Sequence, residues 1–475
     1  MNKYKKLAFN TMIFAVGSFG SKILVLLLTR LYTKHINPAD MNTKDLLETT
    51  ALFLQPIFTF ALQEYLIRFG LDKKYDKKAV FTTSACITGI GMAALVLIVP
   101  GLRFIPFLNF ISGYAMLLVV YTCMSSIRML FAQFVRSRDM VKLFSLDGIL
   151  ATLTLFVFNM IFIAGLNMGV KGFMLAVILS DFCSSVFLFS VARLGKFFKL
   201  RYFSGSLARA MMKFSLPLIP TIVMWTVTSL SDRLFITYMH STHVKLGKEA
   251  AGLYAVANRI PNLISMVSTI FFQAWNMSAI TENNSRDRSR FYERVYNAYE
   301  SILFIASAGL LMLIVPVSSF LTNKSNYAEY GTIYIYTPIL IIAVLFMSLN
   351  QFLGGIYNAT KHSKNSFWTS FVACSVNIVM NFFLIPEWGL QGAALATFLS
   401  YYICFWSRVI DARYYVPFKF NAVKSMINTV LLFVMSWMII KDKTGWQLWL
   451  ILLFITVTVF NYKSLLSTVR KVLRK

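Results

Sequence analysis

The sequence is short of charge: Asp, Glu, Lys and Arg make up 14% of its 475 residues, against roughly a quarter in soluble domains. With 57% apolar residues and a mean hydropathy of +0.65, that shortage excludes a chain of ordinary soluble domains. Acids are scarcer than bases, 19 against 46, for a formal net charge of +27. The four histidines, His35, His240, His243 and His362, fall in loops or at the ends of apolar runs. They form no HExxH or other ligand spacing, so no metal site is implied. Cysteine is also sparse. Cys86, Cys123, Cys183, Cys374 and Cys404 all lie inside apolar runs, without a CxxC pair, and read as small hydrophobes. No Walker motif is present, so the chain does not hydrolyse ATP itself. No long outer loop carries an acidic pair for sugar transfer. Neither an enzyme nor a bound cofactor is implied.

What is present is apolar runs long enough to cross a bilayer, which takes about 20 residues each. They lie near 7–31, 46–67, 79–101, 111–135, 144–165, 170–193, 214–239, 250–276, 295–321, 331–357, 365–385, 389–411, 422–440 and 446–466. The spacing predicts an all-α integral membrane protein of about fourteen spans, leaving about 34 residues per span and no room for a soluble domain. The opening MNKYKK and the run after it lack a small-residue cleavage site and read as a retained first helix. The bases sit in short clusters between runs, which is the pattern of the positive-inside rule and not of a nucleic-acid patch. With the N-terminus in the cytoplasm, about 32 Lys and Arg fall inside and about 10 outside. The expectation is a multi-pass protein of the cell membrane with both termini cytoplasmic.

The chain repeats itself. Gly169-Val-Lys-Gly172-Phe-Met-Leu175-Ala176-Val-Ile-Leu179-Ser180 matches Gly389-Leu-Gln-Gly392-Ala-Ala-Leu395-Ala396-Thr-Phe-Leu399-Ser400, and more faintly Phe9 and Pro56 match Phe214 and Pro261 at one common offset. A period of six spans makes the halves parallel, related by an axis along the membrane normal. The expected organisation is two six-helix bundles, 1–205 and 206–415, around a central cavity, with an accessory helix pair over 416–475.

Charges inside apolar runs are expensive and mark function by default. Lys22, Arg128, Arg233 and Arg259 are such cations. Span 1 places Thr11, Ala15, Ser18, Lys22 and Thr29 on one face, and span 8 places Tyr254, Asn258, Asn262, Ser265, Thr269 and Gln273 on another. Span 7 adds Thr221, Trp225, Thr228 and Asp232, and span 2 adds Gln55, Thr59 and Gln63. These faces fit either a shared hydrated cavity or hydrogen bonding between helices. The candidate substrate-binding residues are therefore Lys22, Arg128, Arg233, Arg259, Asn258, Gln273 and Trp225. Asp147, Asp181 and Asp232 are candidates for charge balance or ion coupling. Arg68, one turn after Glu64, reads equally as half of a helical ion pair. Prolines 56, 217, 220, 261 and 338 mark expected kinks.

Four features stand out together: Phe9–Asp45 with Gly17, Gly20, Lys22 and Thr29-Arg-Leu-Tyr-Thr33; Ser231-Asp-Arg-Leu-Phe-Ile236; Gly252-Leu-Tyr-Ala-Val-Ala-Asn-Arg-Ile260; and the repeated GxxGxxLAxxLS. In these the chain resembles Wzx-type polysaccharide flippases of the multidrug/oligosaccharidyl-lipid/polysaccharide exporter superfamily. The resemblance runs over essentially the whole chain but departs at Asn37–Asp45, the stretch between spans 1 and 2 at the outer mouth. It implies two bundles around a V-shaped cavity, alternating access, and an undecaprenyl-diphosphate-linked oligosaccharide as substrate, for surface polysaccharide or teichoic-acid-type polymer. It also implies partners among membrane lipids and polysaccharide assembly proteins. Lys22, Arg233 and Arg259 match in kind the family's cavity cations, which suit a diphosphate. The alternatives are a cation-coupled drug antiporter of the same superfamily and, from the enzyme class, an integral-membrane polymerase or glycosyltransferase.

Overall fold

Backbone in hydrocarbon must satisfy its own hydrogen bonds, and every regular element among the described residues is helical. The computed structural model describes residues 24, 26–72, 74–282, 286–322, 325–360, 362–441 and 445–473. In chain order the helices are α1 (Pro38–Phe58), α2 (Leu62–Leu71), α3 (Lys77–Ile98), α4 (Ala115–Ser137), α5 (Val141–Asn159), α6 (Gly169–Val191), α7 (Gly205–Ser215) and α8 (Ile219–Tyr238). They continue as α9 (Lys248–Ala257), α10 (Asn262–Glu282), α11 (Arg288–Met312), α12 (Ile314–Thr322), α13 (Ile333–Thr360), α14 (Ser363–Tyr415), α15 (Ala422–Ile440) and α16 (Trp446–Leu473). Among the described residues nine helices are long and apolar enough to cross a membrane, or ten with the α7–α8 pair, which bends by 46°. One of the nine, α14, holds two of the expected spans, divided at Gly389. Most of span 1 lies outside the described residues.

Among the described residues, span 9 is interrupted at Leu313, and spans 2 and 8 are broken more fully. Span 2 becomes α1 and α2, joined through Phe60 and Ala61, both left-handed at φ 53° and 50°. Span 8 becomes α9 and α10, separated at 258–261. The breaks lie beside Pro56 and Pro261, the two prolines that share one repeat offset. Pro217 and Pro220 fall at the α7–α8 bend, whereas Pro338 sits within unbroken α13. The stretch Asn37–Asp45, expected as a loop, is instead the start of α1. Asn37 caps it by accepting from the Asp40 amide at 2.8 Å, and Pro38 occupies the first turn, where a missing N–H costs nothing.

Contacts divide the chain into two compact units, the first ending at Leu230 and the second beginning at Ser231. In the first, α6 packs on α4 and α5, and α2 on α4. The core at its basic end is aromatic: Phe134 lies 4.5 Å from Phe81 and 5.4 Å from Phe197 between ring centroids. The segment after α6 is tied down there. Thr82 Oγ1 donates to the Phe197 carbonyl at 2.9 Å, and Arg138 lies over the Phe197 ring. In the second unit α13 is the central helix, buried along Leu340–Phe346 against α10, α11, α14 and α15. The terminal pair α15 and α16 packs on α11 and α13 within this unit.

The repeat is visible in backbone geometry. Gly169 and Gly389 both take positive φ, 53° and 58°, where a side chain would be strained. One turn on, a Cβ on Gly392 would lie 2.1 Å from the Leu384 carbonyl oxygen, and one on Gly172 would lie 2.9 Å from Met168 Cβ. Ala176 and Ala396 are both fully buried, as is Ser400, with Ser180 nearly so. Each glycine pair lets a helix start tightly against the end of its predecessor.

Helix α3 packs tightly on the end of α1 at Gly91, where an added Cβ would lie 1.6 Å from the Phe58 carbonyl oxygen. Gly91→Ala is expected to cost about 1–3 kcal/mol of stability through overpacking. Gly89→Ala, with nothing within 4 Å, should be neutral or slightly stabilising. Thermal melts of the purified variants check this, and equal melting temperatures would contradict it.

Candidate functional site

Among the described residues, each unit holds a cluster of polar contacts around buried carboxylates. In the first unit, α4 brings Arg128 between α5 and α6. Its Nη1 lies 3.2 Å from Asp181 Oδ1 and its Nη2 3.6 Å from Asp147 Oδ2. Nε donates to Ser184 Oγ at 2.9 Å; Ser184 in turn donates to Asp147, and Ser125 donates to Asp181. Both carboxylates are buried, and the guanidinium retains 30% exposure. The two acids read as possible coupling groups are thus the ion-pair partners of a cation read as a substrate ligand. Two carboxylates face one guanidinium, so the cluster carries one formal negative charge.

In the second unit, Asp232 on α8 is buried and caged by neutral donors. Asn377 and Asn381 Nδ2 donate to its Oδ1 at 3.0 and 2.7 Å, and Thr397 and Tyr254 hydroxyls donate to its Oδ2 at 2.6 and 3.0 Å. Ser231 Oγ donates to Asn377 Oδ1 at 2.6 Å. These four donors occupy both oxygens of the carboxylate. A proton or cation arriving there would have to displace those bonds. Asn377 and Asn381, one turn apart in an apolar run, were missed by sequence reasoning; their i, i+4 spacing was the available signal.

The Tyr254–Asp232 bond ties α9 to α8, and so sets Arg233 on one helix and Arg259 beyond the end of the other. Arg259 lies in the break between α9 and α10, its amide donating to the Val256 carbonyl at 2.9 Å. Arg233, Arg259 and Trp225 are half-buried, each engaged by neighbouring groups. Asn258 Nδ2 is turned back onto the Tyr254 carbonyl at 2.9 Å. The expected continuous stripe along span 8 is therefore split: Tyr254 is buried against Asp232, while Thr269 is exposed. Lys22 and the side chains of Gln273 and Glu64 lie outside the described residues.

The polar face of span 2 proves to be internal bonding. Gln55 Nε2 donates to Gln63 Oε1 at 3.1 Å across the break, and Gln63 Nε2 donates to the Ser126 carbonyl at 2.7 Å. Gln63 and Thr59 are buried. Arg68 is exposed and lies over the Phe214 ring at 4.2 Å. Lys44, from the stretch expected as a loop, is buried, pairs with Glu48 at 2.6 Å and lies 4.1 Å from the Phe173 centroid. Glu300 on α11 is also buried and accepts from Tyr296 OH at 3.2 Å.

No family profile matches the chain, and no curated protein matches it. Solved structures do. A structure titled as the lipid II flippase MurJ in an inward closed conformation aligns at 16% identity with a TM-score of 0.67, covering 98% of this chain and 100% of that one. An outward-facing MATE-family multidrug resistance transporter of the MOP superfamily aligns at 14% identity and TM-score 0.65, covering 88% and 96%. An inward-facing one aligns at 13% and 0.63, covering 87% and 99%. At these identities the likeness is one of fold alone, which the chain shares with these flippase and transporter structures.

Proposed function

We propose that the chain is a flippase carrying a lipid-diphosphate-linked oligosaccharide of undecaprenyl type from the cytoplasmic to the outer leaflet by alternating access. The product would serve surface polysaccharide or teichoic-acid-type polymer export. The observation that carries this reading is that span 2 and span 8, the corresponding spans of the two halves, are each broken near a repeat-matched proline, with Arg259 in the second break. Interrupted spans in repeat-related positions are the usual sign of a transporter's substrate site, and a guanidinium is suited to phosphate oxygens. Lys22, Arg233 and Arg259, with Trp225, are the proposed headgroup ligands; Arg128 is assigned a supporting part, since it already holds two carboxylates.

The alternative, a cation-coupled drug antiporter, is favoured by the likeness to MATE transporters. It needs an acid free to meet a cationic ligand. Asp147 and Asp181 are engaged by Arg128, and Asp232 and Glu300 are hydrogen-bonded in the bundle interior. Competition binding to the purified protein separates the two readings. Undecaprenyl diphosphate should compete at least tenfold better than the monophosphate, about 1.4 kcal/mol, and a lipophilic cation should not compete. Preference for the cation would reverse the assignment.

Asp232 is the proposed coupling group. Asp232→Asn keeps the shape of the cage and removes the titratable charge. Transport driven by an imposed proton or sodium gradient should then lose its dependence on that gradient, with abundance retained. An unchanged gradient dependence would leave coupling elsewhere.

A further inference from the structure

The basic stretch from the last turns of α14 to the first turn of α15 contains four cations whose side chains part company. Arg408 is buried and donates to the Asn350 carbonyl at 2.8 Å and to Thr369 and Ser370 hydroxyls at 3.0 Å each. Lys424, at the start of α15, donates inward to Ser301 and Ser464 hydroxyls at 3.0 and 3.2 Å. Arg413 and Lys419 do neither. Both are exposed, and neither forms a hydrogen bond or ion pair with a described residue. They line one cleft of about 580 Å³ with Ile410, Tyr414, Pro417 and Phe418, and no carboxylate is among the lining residues.

The helix leading to this cleft has the surface of a lipid-facing stripe. Ile403, Ile410 and Tyr414 are 38%, 62% and 83% exposed, and their spacing of seven and four residues puts them on one face. An apolar stripe ending in a tyrosine and two spare cations is the arrangement that holds an acyl chain beside a phosphate headgroup. The offset that aligns Gly169 with Gly389 also aligns Arg193, Phe198 and Lys199 with Arg413, Phe418 and Lys419. The first copy differs, because Phe198 is 44% exposed whereas Phe418 is buried and forms the cleft wall.

We infer that Arg413, Lys419 and Tyr414 form a binding site for the headgroup of an anionic phospholipid, with an acyl chain lying along Ile410 and Ile403, on the membrane face that carries the basic segments. Such a lipid is a bound partner of the second unit and not the transported molecule. Its binding does not depend on the substrate assignment.

The test uses the full chain, purified and delipidated in detergent, with phosphatidylglycerol titrated in and the melting temperature as readout. Phosphatidylcholine and inorganic phosphate serve as comparison additions. Phosphatidylglycerol should stabilise the protein saturably, and neither comparison should. In the double variant Arg413→Gln/Lys419→Gln the half-saturating fraction should rise about thirtyfold, from two interfacial cations. In Arg193→Gln/Lys199→Gln, which loses the same charge from the other unit, it should change less than threefold. Equal losses in the two double variants would mean only bulk charge and overturn the site. So would an unchanged Arg413/Lys419 double variant, or stabilisation by inorganic phosphate that the same double variant abolishes.

Discussion

Replacing Arg259 with Gln is expected to reduce translocation at least a hundredfold while leaving membrane abundance near normal, and Arg233→Gln should behave alike. Both cations are half-buried on elements linked by the Tyr254–Asp232 bond. Asp232 itself is held by four neutral donors, and all four remain in place when Arg233 is replaced. A charge-assisted bond to phosphate is among the stronger polar interactions, and its loss falls on a headgroup that must leave water. Arg259→Lys should restore part of the activity, because an ammonium still binds phosphate without the guanidinium's fork. Side-by-side measurement of abundance and translocation checks this. Normal transport in both Gln variants would remove these residues from the substrate site.

Arg128→Gln should behave in the opposite way. It leaves Asp147 and Asp181, both buried, facing each other's charge without the guanidinium. Breaking a buried ion pair from one side costs about 3–5 kcal/mol, a large part of the stability of a typical domain. The variant should be depleted from the membrane. The triple variant Arg128→Gln/Asp147→Asn/Asp181→Asn removes the stranded charges and should recover most of the abundance. A quantitative immunoblot of membrane fractions decides it: an abundant but inactive single variant would return Arg128 to the substrate ligands.

Much of this architecture is legible in the chain because a spanning helix announces itself by length and apolarity alone. The limits near 79–101, 111–135, 170–193 and 422–440 agree with the helices to within a few residues. The GxxGxxLAxxLS repeat is legible for a related reason: its glycines answer to backbone geometry, positive φ at Gly169 and Gly389 and close packing at Gly172 and Gly392. Hydropathy averages are blind to an unwinding of three or four residues, so the breaks after Phe58 and Ala257 were hidden inside runs that look continuous. Partner choice was hidden too. Arg128 and Asp181 are both visible as buried charges, but only the packing of α4 on α6 brings them together. Lys44 and Arg408 were illegible for a different reason. A cation near the end of a span looks like one that reaches for water, yet both turn inward, to Glu48 and to the Asn350 carbonyl.

The central claim is that an anionic lipid-diphosphate sugar crosses the membrane on this protein. The most direct measurement places the purified chain in liposomes, loads the outer leaflet with a fluorescent undecaprenyl-diphosphate oligosaccharide, and follows its protection from a membrane-impermeant quencher. The account predicts protein-dependent protection that a cationic dye does not inhibit and that Arg259→Gln abolishes. Protection equal to that of protein-free liposomes, together with gradient-driven uptake of the cationic dye, would contradict it.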